Sequence, residues 1–407
     1  MKLAIITALP PSKVTLNEYG YHLVKHFAKK QKLSELILLT DHCTGEEDVV
    51  FTEQNCKITV KSCWSFNSYT NLYHVNRALK ETQPDAVLLN IQFMKFGDKK
   101  IPAALGLLIP MICKFMNIPN IVLLHNILEQ VDLDKAGFTK NKILQNAYNF
   151  IGTTLTKCIL KADLVALTMK KYIGIIENKY EANNLVNIPH GTFEIPEKPQ
   201  HLPSSNHMKI MTFGKFGTYK KVEVLIEAIE KVRVKTNLNL EVVVAGTDNP
   251  NVPGYLDGVK KAYKHVPNIT FTGYVAEEDV PGLFQESTAV VFPYTSTTGS
   301  SGVLHQAGSY GKAVIMPNLG DLALLVEDEG YKAEFFQPTC SDSLATAIEN
   351  IVTNEQHRKM LEDANYNAAK SIPMEDITDR YIRLFETLIE KKQNNHLSIN
   401  KESSIWI

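Results

Sequence analysis

The chain has 407 residues, 44% of them hydrophobic and 21% charged, with a formal net charge of -1. That length exceeds what one hydrophobic core supports, about 250–300 residues, so two domains are expected. The composition is that of an ordinary globular protein, and the balanced charge excludes a chain-wide pull toward nucleic acid.

The N-terminal run MKLAIITALPP is too short for a signal peptide and ends in two prolines. It reads as a first buried strand. Strand-like runs follow at Glu35 to Thr40, Ala86 to Asn90, Asn120 to Leu124 and Asp163 to Thr168. Between them lie helical patterns, among them Asn17 to Lys29, with Tyr19, Leu23 and Phe27 spaced for one face. Strands alternating with helices predict a parallel, doubly wound sheet. Ile101 to Met116 is the most apolar later segment, but Gly106 and Pro110 break it. It falls short of the ~20 residues of a spanning helix, so no transmembrane anchor is expected.

The strand Ile121 to Leu124 ends in His125. A His at the carboxyl end of a parallel strand is placed to touch a ligand; a structural His bonded to a loop carbonyl is the simpler reading. The helical segment Thr139 to Lys161 carries Lys140, Lys142, Lys157 and Lys161. It is either a basic amphipathic face for a membrane surface or a solvated face, the second being commoner. Pro189-His190-Gly191 reads as a shaped turn. Glu194 to His207, rich in proline and without period, is the best linker in the chain. These signals divide the chain into a first domain over 1–193, a linker over 194–207, a second domain over 208–373 and a polar, disordered tail from 393.

A second alternating pattern begins at Lys209. Its first strand runs into a loop, Gly214-Lys215-Phe216-Gly217-Thr218-Tyr219-Lys220-Lys221, ahead of a helix over Val222 to Val234. Two lysines converging near a helix N-terminus would make a diphosphate site; an exposed basic loop is the plainer alternative. Further strands are expected at Leu240 to Ala245, Ile269 to Thr272, Ala289 to Phe292 and Ala313 to Met316. The stretch Thr295 to Asp321 leads from a buried strand through Ser, Thr and Gly into a helix over Gly302 to Tyr310, with Ser300 or Ser301 as its N-cap. Small residues there let an anion approach free backbone amides at the helix's positive end. Asp376 to Lys392 reads as a last amphipathic helix.

The six cysteines (Cys43, Cys56, Cys63, Cys113, Cys158 and Cys340) are scattered, without the spacing of a metal site. They read as reduced thiols of a cytoplasmic protein, and no metal is expected.

Taken together, these motifs resemble the GT-B fold, two Rossmann-like domains facing each other across a cleft. In detail they resemble the retaining nucleotide-sugar glycosyltransferases of family 4. The resemblance implies that Gly214, Lys215 and Lys220 grip the donor diphosphate. It implies that Thr298, Gly299, Ser300, Ser301, Gly302 and Val303 surround the diphosphate and sugar. His190, Gly273, Tyr274, Val275 and Gln306 would border the nucleoside, and His125 the transferred sugar. Catalysis would rest on His125, Lys215 and Lys220. The last helix would return to the first domain.

Two departures stand out. The family's paired glutamates ahead of the pair matching Gly311-Lys312 are here Thr298 and Gln306, with Asp321 a candidate replacement carboxylate. The first-domain loop reads Ser12-Lys13-Val14-Thr15 where the family often has paired glycines. The resemblance implies transfer of a sugar from a nucleoside diphosphate to a glycan or lipid-linked acceptor, in cell-surface polysaccharide synthesis, with no cofactor beyond the donor. It implies a cytoplasmic protein, with weak peripheral membrane contact open. Two alternatives share the fold: a sugar-phosphate synthase or 2-epimerase, and a non-catalytic nucleotide-sugar binder. The sugar, base and acceptor stay open.

Overall fold

Seven parallel strands form the first sheet: β1 (Lys2–Ile6), β2 (Glu35–Asp41), β3 (Lys57–Trp64), β4 (Ala86–Ile91), β5 (Asn120–Leu124), β6 (Leu164–Leu167) and β7 (Leu185–Asn187). Their order is β3-β2-β1-β4-β5-β6-β7. In register, Leu3 of β1 lies beside Leu36 on one side and Ala86 on the other. The inner strands are continuous apolar runs because helices cover both faces. β4 and β5 are wholly buried.

Six more parallel strands form the second sheet: β8 (His207–Phe216), β9 (Asn239–Asp248), β10 (Ile269–Gly273), β11 (Ala289–Val291), β12 (Ala313–Pro317) and β13 (Ala333–Phe336). Their order is β10-β9-β8-β11-β12-β13. Its core joins Ile210, Val242 and Ile315 from the sheet to Leu225, Ile229 and Ile348 from the helices. Each sheet is thus doubly wound, and each reverses direction once, between β1 and β4 and between β8 and β11. Ligands of such sheets bind beyond the carboxyl ends of strands at that reversal.

This architecture comes from a computed structural model that describes residues 1–42, 56–130, 142–202, 205–249, 251–296 and 299–403. Two units result, Met1–Pro189 with Met374–Ile407, and His190–Pro373. No helix among the described residues is long and apolar enough to cross a membrane.

Two sequence expectations need correction, and one segment gains unexpected partners. Gly214-Lys215-Phe216 is not loop; it is the end of β8, paired with Gly246-Thr247-Asp248 of β9. A Cβ on Gly246 would lie 1.9 Å from the Gly214 carbonyl oxygen. Glycine there lets the two strands stay paired to their ends. The proline-rich linker is fastened along the helix Glu355–Lys370. Tyr366 Oη donates to the Pro196 carbonyl at 2.9 Å, and Arg358 donates to that of Leu202 at 3.0 Å. Lys198 pairs with Asp363 at 2.7 Å. Prolines lack donors, but their carbonyls still accept. Finally, the last helix runs Met374–Ser403, past the expected start of a disordered tail at 393. That stretch is polar but holds neither Pro nor Gly, so nothing breaks the helical ladder. The helix is anchored in the first unit, where Tyr381 meets Phe27 and Lys30 pairs with Asp379 at 2.8 Å.

Candidate functional site

At the reversal of the second sheet, the connections after β8 and β11 meet. Lys220 bridges Tyr294 in antiparallel fashion. The Lys221 amide donates to the Pro293 carbonyl at 2.9 Å, and Thr295 to Tyr219 at 2.8 Å. This pairing turns the Lys220 side chain inward, where it is only 8% exposed. Its Nζ donates to the Phe213 carbonyl at 3.4 Å and lies 4.8 Å from the Tyr294 ring centroid. Burial pushes its pKa below the usual lysine value. Among the described residues it has no carboxylate partner.

The other lysines of the segment differ. Lys215 is exposed at the end of β8. Lys221 turns back, donating to the Gly217 carbonyl at 2.8 Å and lying over the Tyr255 ring. Of these lysines, Lys220 alone is buried, Lys215 is exposed, and Lys221 is tied to its own loop.

The helix Gly302–Ser309 starts beside this lysine's strand partner. Ser301 is its N-cap, in extended conformation and without a side-chain cap bond. The amides of Gly302 and Val303 open the helix, so they have no intrahelical acceptor. The Gly299 amide is directed elsewhere, to Asp321 Oδ2 at 3.4 Å. Asp321 is itself 4% exposed. Asp321, in the first turn of the helix Gly320–Glu329, thus ties the loop at Gly299 to that helix. Thr298 lies outside the described residues. Ser300 is half-buried, and Gln306, one turn into the helix, is half-buried as well.

His190 lies under the helix start: a Cβ on Gly302 would sit 3.6 Å from its Cε1. Its Nδ1 donates to the Gly191 carbonyl at 2.9 Å, and its ring stacks on His305 with centroids 4.8 Å apart. Gly273 ends β10, and Tyr274 and Val275 follow it, two strands from β8 and so about 10 Å along the sheet. Gly273 takes φ +70°, and Tyr274 is 81% exposed.

In the first unit, His125 follows β5. Its Nε2 donates to Asn90 Oδ1 at 2.7 Å. Asn90, buried on β4, donates in turn to Thr7 Oγ1 at 2.9 Å, and Tyr19 meets the His125 ring edge-on at 4.5 Å. The imidazole is therefore oriented by the two strands flanking that sheet's reversal. The loop after β1, without paired glycines, is held by side chains instead. Ser12 donates to Asp41 at 2.6 Å, and Lys95 Nζ donates to the Thr15 carbonyl at 2.7 Å. Lys95 is fully buried, which lowers its pKa to about 7, with Asp41 opposing the shift.

Sequence reasoning missed His305 and Lys95. Each is a polar residue inside an apolar stretch, which is a signal, but the partners that explain them lie far along the chain.

Residues 207–354 match the family model described as Glycosyl transferases group 1. The O-antigen chain mannosyltransferase C of Escherichia coli is 24% identical over 181 residues, 44% of this chain. That match covers 46%, under half, of the relative's length. Among solved structures, a sucrose-phosphate synthase from Thermosynechococcus elongatus aligns with a TM-score of 0.71 at 16% identity, over 96% of this chain and 100% of that one. HepE from Anabaena, solved in complex with UDP, aligns with a TM-score of 0.67 at 15% identity, over 95% and 99%. The fold is GT-B, as the sequence predicted.

Proposed function

We propose that this chain is a glycosyltransferase that moves a sugar from a nucleoside-diphosphate donor to a glycan or lipid-linked acceptor in cell-surface polysaccharide synthesis, with retained anomeric configuration. Lys220 carries the reading. A buried cation without a carboxylate partner is costly, and an anionic ligand would compensate it. It stands at the reversal of a doubly wound sheet, beside a helix N-terminus with open amides, inside the segment that matches the family model. The E. coli relative, named as an O-antigen mannosyltransferase, supports the acceptor class.

In this reading the leaving diphosphate gathers charge as the glycosidic bond breaks. Lys220 and the amides of Gly302 and Val303 are fixed donors for that charge, the main lever a protein has on such a step. Lys215 reaches the outer phosphate from solvent. Tyr274 and Val275 border the base, and Gln306 donates to and accepts from the ribose. His125, oriented by Asn90, serves turnover. Side chains and amides, rather than a metal, hold the diphosphate.

The experiment is donor affinity by calorimetry. Lys220→Ala should weaken it by about 1.5–3 kcal/mol, the range for hydrogen bonds to charged groups. Unchanged affinity would remove Lys220 from the site. The loss of both family glutamates favours one competing reading, a binder without transfer; a nucleotide-sugar bound but never turned over would establish it.

We also propose weak peripheral membrane contact at the cytoplasmic face. Phe150 and Ile151, 74% and 48% exposed, share the open side of the helix Lys142–Ile159 with exposed Lys157. Apolar and basic residues together suit an anionic bilayer. Sedimentation with anionic vesicles should weaken on Phe150→Ser with Lys157→Glu; no binding by the wild type would end this part. Thr139 and Lys140 of that segment lie outside the described residues.

A further inference from the structure

His305 stands in the apolar helix Gly302–Ser309 with 2% of its surface exposed. Both ring nitrogens are engaged. Nε2 lies 3.1 Å from Ser300 Oγ, and Nδ1 lies 2.9 Å from Tyr331 Oη. Glu329 Oε2 is 3.5 Å from Nδ1, and His190 stacks on the ring face. Burial first, and His190 second, hold the His305 pKa well below its ordinary value, so the ring is neutral. A neutral imidazole has one N–H and one lone pair. It therefore passes a hydrogen bond between Tyr331 and Ser300 with one consistent direction, whichever tautomer is present.

The positions of these residues matter. With Ser301 as N-cap, Ser300 is the residue before the cap and His305 is the fourth of the helix. Those are the two places that a hydrophobic staple joins, and a staple fixes the angle at which the chain enters a helix. Here a hydrogen bond takes the place of the apolar pair. Its far end is Tyr331, 1% exposed and so held by the core. The side chain of Ser301 makes no cap bond, so the Ser300–His305 contact supplies a tie across the helix start that the cap does not.

We propose that His305 is a positioning residue: bonded to Ser300 on one side and Tyr331 on the other, it sets the path of the loop into the helix and so aims the Gly302 and Val303 amides at the donor diphosphate. The proposal rests on the donor-site reading above. It acts through Ser300, so the two residues should be energetically coupled.

The test is a double-mutant cycle read by calorimetric affinity for UDP, GDP and ADP, with amide hydrogen exchange over residues 299–304 of the free protein as a second readout. His305→Leu keeps bulk and loses both bonds. His305→Gln keeps a polar group near the Nε2 position. Ser300→Ala and His305→Leu are each expected to weaken nucleotide affinity about tenfold, and the double variant no further, because they remove one interaction. His305→Gln should stay within about threefold of wild type, and His305→Leu alone should speed exchange over 299–304. A double variant weakened about a hundredfold would show independent roles and overturn the proposal. So would wild-type affinity and exchange in His305→Leu. If the wild type binds none of the three nucleotides, the donor-site reading fails and the aiming claim fails with it. Exchange then decides alone whether the staple exists.

Discussion

Gly214 and Lys220 share one volume. A Cβ at position 214 would lie 2.4 Å from the Lys220 Nζ, and Gly214 itself takes φ +132°. The glycine at the end of β8 thus makes room for the buried ammonium that the connection after β8 turns inward. Gly214→Ala should displace that ammonium and strain the backbone. Stability should fall by about 1–3 kcal/mol, the cost of a residue held in a sparse region. Donor affinity should fall with it. Urea unfolding and calorimetry read the two effects, and intact affinity in a destabilised variant would separate Gly214 from the site.

Lys220 also predicts a proton balance. Burial lowers its pKa in the free protein. A bound diphosphate favours the charged form and raises it again. Above the free-state pKa, binding should therefore draw in a proton, and affinity should fall as pH rises. Calorimetry in buffers of different ionisation enthalpy measures that uptake. Lys220→Met should abolish it; the same uptake in the variant would assign the proton to another group.

His125 is oriented by Asn90, which in turn bonds Thr7. His125→Ala should lower turnover more than donor affinity. Asn90→Leu should have the same signature in smaller measure, because the ring stays but loses its Nε2 acceptor. Steady-state kinetics set beside nucleotide affinity distinguish these effects. If both quantities stay at wild-type values in His125→Ala, the residue is a structural one.

Lys95 gives a stability prediction with a definite sign. Its pKa is about 7 in the fold, against an ordinary 10.5. Between those values the unfolded chain binds more protons, so this group makes stability rise with pH, by up to about 1.4 kcal/mol per unit. Lys95→Met removes the slope. The variant's stability relative to wild type should be greatest near pH 7 and decline toward pH 10. A difference flat across that range would contradict the burial of Lys95.

The alternation of strands and helices was legible because buried parallel strands are unbroken apolar runs. The edge strand β3 was not legible: KITVKSCW mixes lysines into a half-exposed strand. Nor was β13, which is four residues long. Gly214 to Gly217 read as a loop because two glycines suggest one. Only Gly246, opposite in the sheet, shows that Gly214 to Phe216 extend a strand. The candidate site divides the same way. Lys220, Ser301 and Gly302 stand in local motifs, so spacing alone singles them out as candidates. His305 takes its meaning from Tyr331, and Lys95 from Thr15 and Asp41, partners that no local pattern connects. The contact of Asp321 with the Gly299 amide was hidden for the same reason, since the two lie on different elements.

The most direct measurement is a thermal-shift series of wild type and Lys220→Ala against UDP, GDP and ADP and their common sugar conjugates. A ligand that binds only the native state raises apparent stability by about 2.7 kcal/mol at a hundredfold excess over its dissociation constant. A clear shift with one nucleotide in the wild type, sharply reduced in Lys220→Ala, is the predicted result. No shift with any of them, or an equal shift in both proteins, would contradict a donor site built on Lys220.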